Sequence, residues 1–219
     1  MGELDILREL RDAVVRGYPD EAILWAKKAV ESKLNPVEVL ERGLGQGLRA
    51  VGDSFGRGEV FLCDLMLSAE AMKQASVILE QEIRKQRLAR ETVAMFVIGT
   101  VAGDIHDIGK TIVAALLAAS GFNVIDLGID VPVERFLQAV KENSPHILGL
   151  SALLTATALE QANVIEALKI HDLRSKVEVM VGGGATTKEY AEKIGADGYG
   201  EDAEQAVKVA KGFLRTDGE

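Results

Sequence analysis

The sequence holds one cysteine, Cys63, in 219 residues. A single thiol excludes an internal disulfide and a thiolate metal cluster. No apolar run approaches the roughly 18 residues that a membrane helix needs. The opening MGELDILREL is charged and amphipathic, so neither a secretory signal nor a transit peptide is expected. A cytoplasmic protein without membrane contact is the default. Positive charge is in deficit: the formal net charge is −9. Residues 1–90 nearly balance, 15 acidic against 14 basic, whereas residues 91–219 carry 19 against 11. An acidic chain without a basic stripe is poorly suited to a phosphate backbone, so no nucleic-acid partner is expected. Histidine is scarce too, three in all, which singles out the one inside GTVAGDIHDIGKTIV, residues 99–113.

What is present is ordinary for a globular chain, 47 % apolar and 27 % charged, long enough for one large domain or two small ones. The first 90 residues carry helical spacing. Leu4, Leu7, Leu10 and Val14 lie on one stripe, and Ile23, Ala26 and Val30 on another. Pro19 and Pro36 stand where helices begin, with Asn35 as an N-cap. Residues 60–88 describe a further long helix. Four helices with short connections predict a small antiparallel bundle. One stretch resists: six glycines fall between Gly43 and Gly58. Each costs about 1 kcal/mol against alanine inside a helix. Propensity therefore favours a loop there, or very close helix packing, or a backbone kept bare for a bulky partner.

After KQRLARE the period changes. TVAMFVIGT is a continuous apolar run, as in a strand buried on both faces, and FNVIDLG, HILGLSA and VEVMVGGG follow. Helical stretches at 109–120, 132–143 and 156–173 separate them, and DGYG with a helix from about 202 completes five β-α units. This predicts an α/β chain: a four-helix bundle over residues 1–90, then a Rossmann-like, flavodoxin-type five-stranded parallel sheet over 91–219.

In such sheets ligands bind beyond the carboxyl ends of the strands, where strand order reverses. Asp104, His106, Gly109, Ser151, Thr155 and Gly182 to Gly184 should converge on that edge. Several chemistries compete for it. A glycine-rich turn before a helix can cradle phosphate, but GDIHDIGK matches neither the P-loop nor GxGxxG. His106-Asp107 has the order of an HD phosphohydrolase, yet His146 and His171 fall at a strand start and a helix end. A Ser151–His106–Asp104 triad lacks a nucleophile elbow. A lone histidine can instead ligate a metal whose macrocycle brings the equatorial ligands. Its other ring nitrogen then needs a carboxylate, which Asp104 can supply, with Ser151 donating to Asp104 from the neighbouring strand. Asp107 reads as the N-cap of the next helix.

Asp104-Ile105-His106-Asp107-Ile108-Gly109, then Ser151-Ala152-Leu153 after 41 residues, then Gly182-Gly183-Gly184, resembles the DxHxxG…SxL…GG signature of B12-binding domains. FGRGEVFLCDLMLSAEAMKQA, residues 55–75, is similar to the cap of cobalamin-dependent methionine synthase and of small methyltransferase corrinoid proteins. The resemblance implies a cobalamin or related corrinoid cofactor, with His106 as lower axial cobalt ligand in place of the cofactor's own base. It implies a proton relay through Asp104 and Ser151 and cofactor contacts from Gly103 to Gly109. The displaced nucleotide tail would thread between Ser151–Thr155, including Leu153, and Gly182–Gly184, where a Cβ at Gly183 would fill the tunnel. The third glycine departs from the usual Gly-Gly-Ala, which leaves open which two line it. Phe55 and Leu62 match cap positions over the methyl-bearing corrin face, with Leu65 expected as a third contact, while Cys63 stands where relatives often carry proline.

The function so implied is methyl carriage between a substrate-specific methyltransferase and an acceptor methyltransferase, served by a reductive activase. Donors would be methanol, a methylamine or a methoxyarene, and acceptors tetrahydrofolate or coenzyme M. The chain has room for cap and cofactor domains but not for a substrate barrel. A B12-dependent regulator or photosensor would need a DNA-binding module, and a B12 mutase subunit a catalytic barrel.

Overall fold

The structure, a computed structural model, describes residues 2–86, 88 and 94–214. The expected boundary at 90/91 and the expected strand residues Thr92 and Val93 lie outside the described residues. The chain divides into two compact units, Met1–Glu91 with Ala118–Gly121, and Thr92–Leu117 with Phe122–Glu219.

The first unit is helical. It runs through α1 (Glu3–Val15), α2 (Pro19–Glu31), the single turn α3 (Pro36–Glu38), a π-helix (Val39–Gly45), α4 (Gln46–Gly56) and α5 (Leu62–Gln86). Pro19 opens α2, and the Asn35 side chain accepts the Val37 N–H at 3.0 Å, both as the sequence predicts. α1 buries Ile6, Leu7, Leu10 and Val14, and α5 packs its Leu65, Ala71, Ala75 and Leu79 stripe among the other helices. The glycine-rich stretch is helical through Gly56, not a loop. A Cβ on Gly43 would lie 3.2 Å from Leu10 Cβ, and one on Gly47 would lie 2.9 Å from the Arg11 carbonyl and Val14 Cβ. These glycines let the run lie directly on α1. Tertiary packing thus overrides propensity, and at Gly43 and Gly47 the bulky neighbour is the chain's own helix.

The second unit is a five-stranded parallel sheet in the order β2-β1-β3-β4-β5, as expected. Its strands are β1 (Met95–Thr100), β2 (Asn123–Asp126), β3 (Ile147–Ser151), β4 (Glu178–Gly182) and β5 (Gly198–Gly200). Successive residues of a strand face opposite ways, and the sequence uses this strictly. Phe96, Ile98, Ile147 and Met180 face α6 (Ile108–Ala119) and α10 (Ala203–Phe213). Val97, Leu148, Leu150, Val179 and Val181 face α7 (Val133–Asn143) and α8 (Thr155–Ile170). A short α9 (Lys188–Ile194) joins β4 to β5, capped by Thr187. The order reverses between β1 and β3, which fixes the functional edge at the loops leaving those strands. No helix among the described residues is long and apolar enough to cross a membrane.

Gly47→Leu should destabilise the helical unit by about 1–3 kcal/mol through overpacking against α1. Gly56→Ala, with no atom within 4 Å of the added Cβ, should instead stabilise it by about 0.5–1 kcal/mol. Urea unfolding followed by far-ultraviolet circular dichroism checks both signs.

Candidate functional site

The loop after β1 reverses at Gly103, whose φ of +76° needs glycine. It then buries the Asp104 carboxylate completely. A buried charge is tolerated only when its lone pairs are taken. Asp104 Oδ1 accepts the His106 backbone N–H at 3.0 Å and contacts His106 Nδ1 at 2.7 Å. Oδ2 accepts the Leu153 N–H at 2.8 Å, the Leu154 N–H at 3.4 Å and the Thr157 hydroxyl at 2.5 Å. Burial alone would push the Asp104 carboxyl up. The Thr157 hydroxyl, the two backbone N–H groups and the imidazole outweigh it and hold the group far below the usual carboxylate range.

These contacts correct one assignment. The hydroxyl that reaches Asp104 belongs to Thr157, not Ser151. Strand parity gives the reason: Ser151 shares a face with Ile147 and Gly149, toward α6 and α10, whereas Asp104 turns to the start of α8. Leu154, at the N-cap of α8, makes no side-chain cap bond, so Asp104 caps that helix from another loop. The sequence spacing starts that helix at 156, whereas it begins at Thr155, which makes Thr157 its third residue.

A second clamp, absent from the sequence reading, lies on the β2 side. The Gly103 N–H donates to Asp130 Oδ1 at 2.7 Å, and the Asp130 N–H donates to the Asp104 carbonyl at 3.0 Å. Asp130 holds a left-handed φ of +50° to do so. The Thr100 hydroxyl fixes the far end of the loop by donating to the His106 carbonyl at 3.0 Å. Asp107 begins α6 through its carbonyl, which accepts the Thr111 N–H at 2.8 Å.

His106 is therefore oriented at Nδ1 while its side chain stays 48 % exposed. In the neutral ring a proton on Nδ1 leaves the lone pair on Nε2. No group of three or more His, Cys, Asp or Glu side chains is assembled to hold a metal among the described residues. The site thus offers one nitrogen, which suits a metal arriving with its other ligands. Around it Ile105, Ile108, Ile129, Leu153 and Leu154 expose apolar side chains, a fitting rim for a flat organic ring.

Beside this edge, under the α6–α10 face of the sheet, lies a cavity of about 220 Å³. Ser151, Gly109, Gly182 and Gly183 line it; Leu153, Thr155 and Gly184 do not. Gly184 lies against Leu153 instead, so the cavity passes between the sheet and the two helices rather than between the Ser151–Thr155 and Gly182–Gly184 loops. Gly183 also has another rationale than the one expected. A Cβ there would lie 2.0 Å from the Ala152 carbonyl, and its φ is +116°. Backbone crossing backbone demands the glycine. Gln161, wholly buried, ties the two loops by donating to the Leu150 and Gly182 carbonyls at 3.0 and 3.2 Å.

In the helical unit Phe55 and Leu62 are half-buried, Phe61 and Cys63 are exposed, and Leu65 is fully buried. Leu65 accordingly has no free surface to offer a ligand.

Residues 95–208 match the family model of a B12 binding domain, and residues 6–80 match a second B12 binding domain model. A corrinoid protein of Desulfitobacterium hafniense (strain Y51) is 44 % identical over 212 residues, covering 96 % of this chain and 98 % of that protein. The dimethylamine corrinoid protein of Methanosarcina barkeri is 42 % identical over 214 residues, covering 98 % and 100 %. Among solved structures, the methanol:cobalamin methyltransferase complex MtaBC from Methanosarcina barkeri contains a chain similar at a TM-score of 0.83 and 31 % identity, covering 98 % of this chain and 81 % of that one.

Asp104→Asn would set an amide NH2 against N–H donors and should cost roughly 2–3 kcal/mol. Because the folded carboxyl lies below its unfolded value, its stabilisation is complete above about pH 4 and lost as pH falls further. The stability gap between wild type and D104N should therefore shrink as pH falls below 4 in denaturant titrations. Asp130→Ala should cost about 1–2 kcal/mol and speed amide exchange at Gly103, while Asp130→Asn, which keeps the acceptor and tolerates the left-handed backbone, should retain most of the protection.

Proposed function

Because the chain belongs to the corrinoid proteins built on B12-binding domains, we propose that it carries a methyl group on cobalt between two methyltransferases. One partner loads it from a methylated one-carbon compound, and the other unloads it to an acceptor such as tetrahydrofolate or coenzyme M. The cofactor is a corrinoid of the cobalamin class, and when bound it supplies the methyl-transfer chemistry. The observation that carries the assignment within this chain is the His106 ring, held at Nδ1 by an anionic Asp104 with Nε2 left available.

His106 Nε2 would be the nitrogen that holds the cobalt. Asp104 fixes the tautomer and the plane of the ring, and Thr157 with the start of α8 keeps that carboxylate ionised. The proton thus stays at Nδ1, and the hydroxyl end of the chain is Thr157 rather than Ser151. Ser151, Gly109, Gly182 and Gly183 would line the path of the nucleotide tail in the cavity beside α6 and α10. The helical unit would serve as the cap, with Phe55 and Leu62 as the residues that exclude water from the cofactor. Support for a methylamine or methanol system comes from relatives named for dimethylamine, trimethylamine and methanol.

The test uses the full chain reconstituted with cobalamin and reduced to Co(II). Wild type should show nitrogen hyperfine coupling in its EPR spectrum from His106. His106→Ala should still bind cobalamin, about 10–100-fold more weakly, and lose that coupling. Unchanged coupling in the variant overturns the assignment.

A further inference from the structure

We propose that Gln161 is a positioning residue of the histidine site, acting through Thr157 and Asp104 to hold the His106 ring with its proton on Nδ1. The consequence for the cofactor rests on reading His106 as the cobalt ligand; the consequence for the ring does not.

Three of the five contacts to the Asp104 carboxylate come from one short segment, the N–H groups of Leu153 and Leu154 and the hydroxyl of Thr157. Hydrogen bonds weaken steeply with distance and angle, so this segment must be set accurately against the sheet. Apolar packing alone does not do that. The stripe that α8 buries toward the sheet includes Ala158, Gln161, Val164, Ile165 and Leu168, each at most 4 % exposed. Apolar burial is non-directional. Four of these five side chains therefore hold α8 down without fixing its position along the strands.

Gln161 supplies the direction they lack. Its Nε2 donates to the Leu150 carbonyl at 3.0 Å and to the Gly182 carbonyl at 3.2 Å, at the ends of β3 and β4. Its Oε1 accepts the hydroxyl of Thr186, also buried, at 3.3 Å. A flipped amide would set its oxygen against two carbonyls, so one orientation fits. A satisfied polar group within an apolar stripe favours one register and penalises those on either side. Thr157 precedes Gln161 by four residues and lies one turn away on the same side of α8. The register that Gln161 sets is thus the one at which Thr157 Oγ1 meets Asp104 Oδ2 at 2.5 Å.

Without the amide α8 is free to shift, Oδ2 loses donors and the carboxylate turns from the ring. An imidazole without that partner carries its proton on either nitrogen. A ring protonated at Nε2 has no lone pair there for a metal.

The experiment compares three full-length chains. Gln161→Met keeps an unbranched side chain of similar volume without the hydrogen bonds. Leu168→Ala opens a cavity two turns further along α8 and serves as the control for lost stability. Nitrogen-15 NMR of the apoprotein near pH 9, with His106→Ala to identify the resonances, reads the tautomer of the neutral ring. Wild type and Leu168→Ala should carry the proton on Nδ1. Gln161→Met should lower the ratio of Nδ1–H to Nε2–H about three- to tenfold. After reconstitution with cobalamin and reduction to Co(II), nitrogen hyperfine coupling should be full in wild type and Leu168→Ala and present in a smaller fraction of Gln161→Met. If Gln161→Met fails to fold by circular dichroism, Thr186→Val, which leaves Oε1 without its donor, should shift the ratio the same way by a smaller factor. An unchanged ratio in the folded variant overturns the positioning role and leaves His106 standing as the ligand. An equal shift in Leu168→Ala overturns it too, since lost stability alone would then account for the change. A wild-type spectrum without nitrogen coupling removes the cobalt reading and the cofactor half of the proposal, while the tautomer ratio still decides whether Gln161 positions the ring.

Discussion

The second unit turns on one buried carboxylate. Asp104 contributes a charge that is several kcal/mol uphill to bury unless its lone pairs are engaged, and five contacts engage them. Those donors come from its own loop, from Leu153 and Leu154 just before α8 and from Thr157 in its first turn, so the β1 loop and the start of α8 cannot be assembled separately. The same carboxylate therefore caps a helix, fixes a loop and aims an imidazole. Asp130 closes the loop from the β2 side, and His106 is left with little freedom except at Nε2.

Strand parity then separates the chemistry into two compartments. On the α7–α8 face, the residues beyond the strand ends build the imidazole–carboxylate–hydroxyl chain. On the α6–α10 face, the same strands leave glycines and Ser151 beside a cavity. A residue's position along a strand decides which compartment it serves. This is why Ser151 and Thr157, six residues apart, have unrelated roles.

Much of this was legible in the sequence. The apolar runs and the spacing between them predict a parallel sheet with its reversal at β1 and β3, and the Asp104–His106 pair declares itself because the carboxylate and imidazole are two residues apart in a turn. What was not legible depends on partners distant in sequence. Thr157 lies 53 residues from Asp104, and Asp130 meets Gly103 across 27. Neither belongs to a local pattern, and a one-residue error in helix phase hides the first. The glycines of residues 43–47 were ambiguous for the opposite reason. Local propensity speaks clearly against a helix there, and only the close approach of Leu10, Arg11 and Val14 reverses it.

The strand glycines beside the cavity constrain how this chain can vary. A Cβ on Gly149 would meet Phe96 at 2.6 Å, one on Gly182 the Gly200 carbonyl at 3.0 Å, and one on Gly200 Ala206 at 2.8 Å. The floor of the cavity is thus set by the packing of the sheet itself and would stay glycine even in a chain that bound nothing. Its roof, formed by Ile112 and Val113 from α6 and Ala203 from α10, is under no such compulsion. Divergence among descendants of this chain should therefore accumulate on one side of the chamber only, so that new tenants are accommodated by remodelling two helices over an inherited floor.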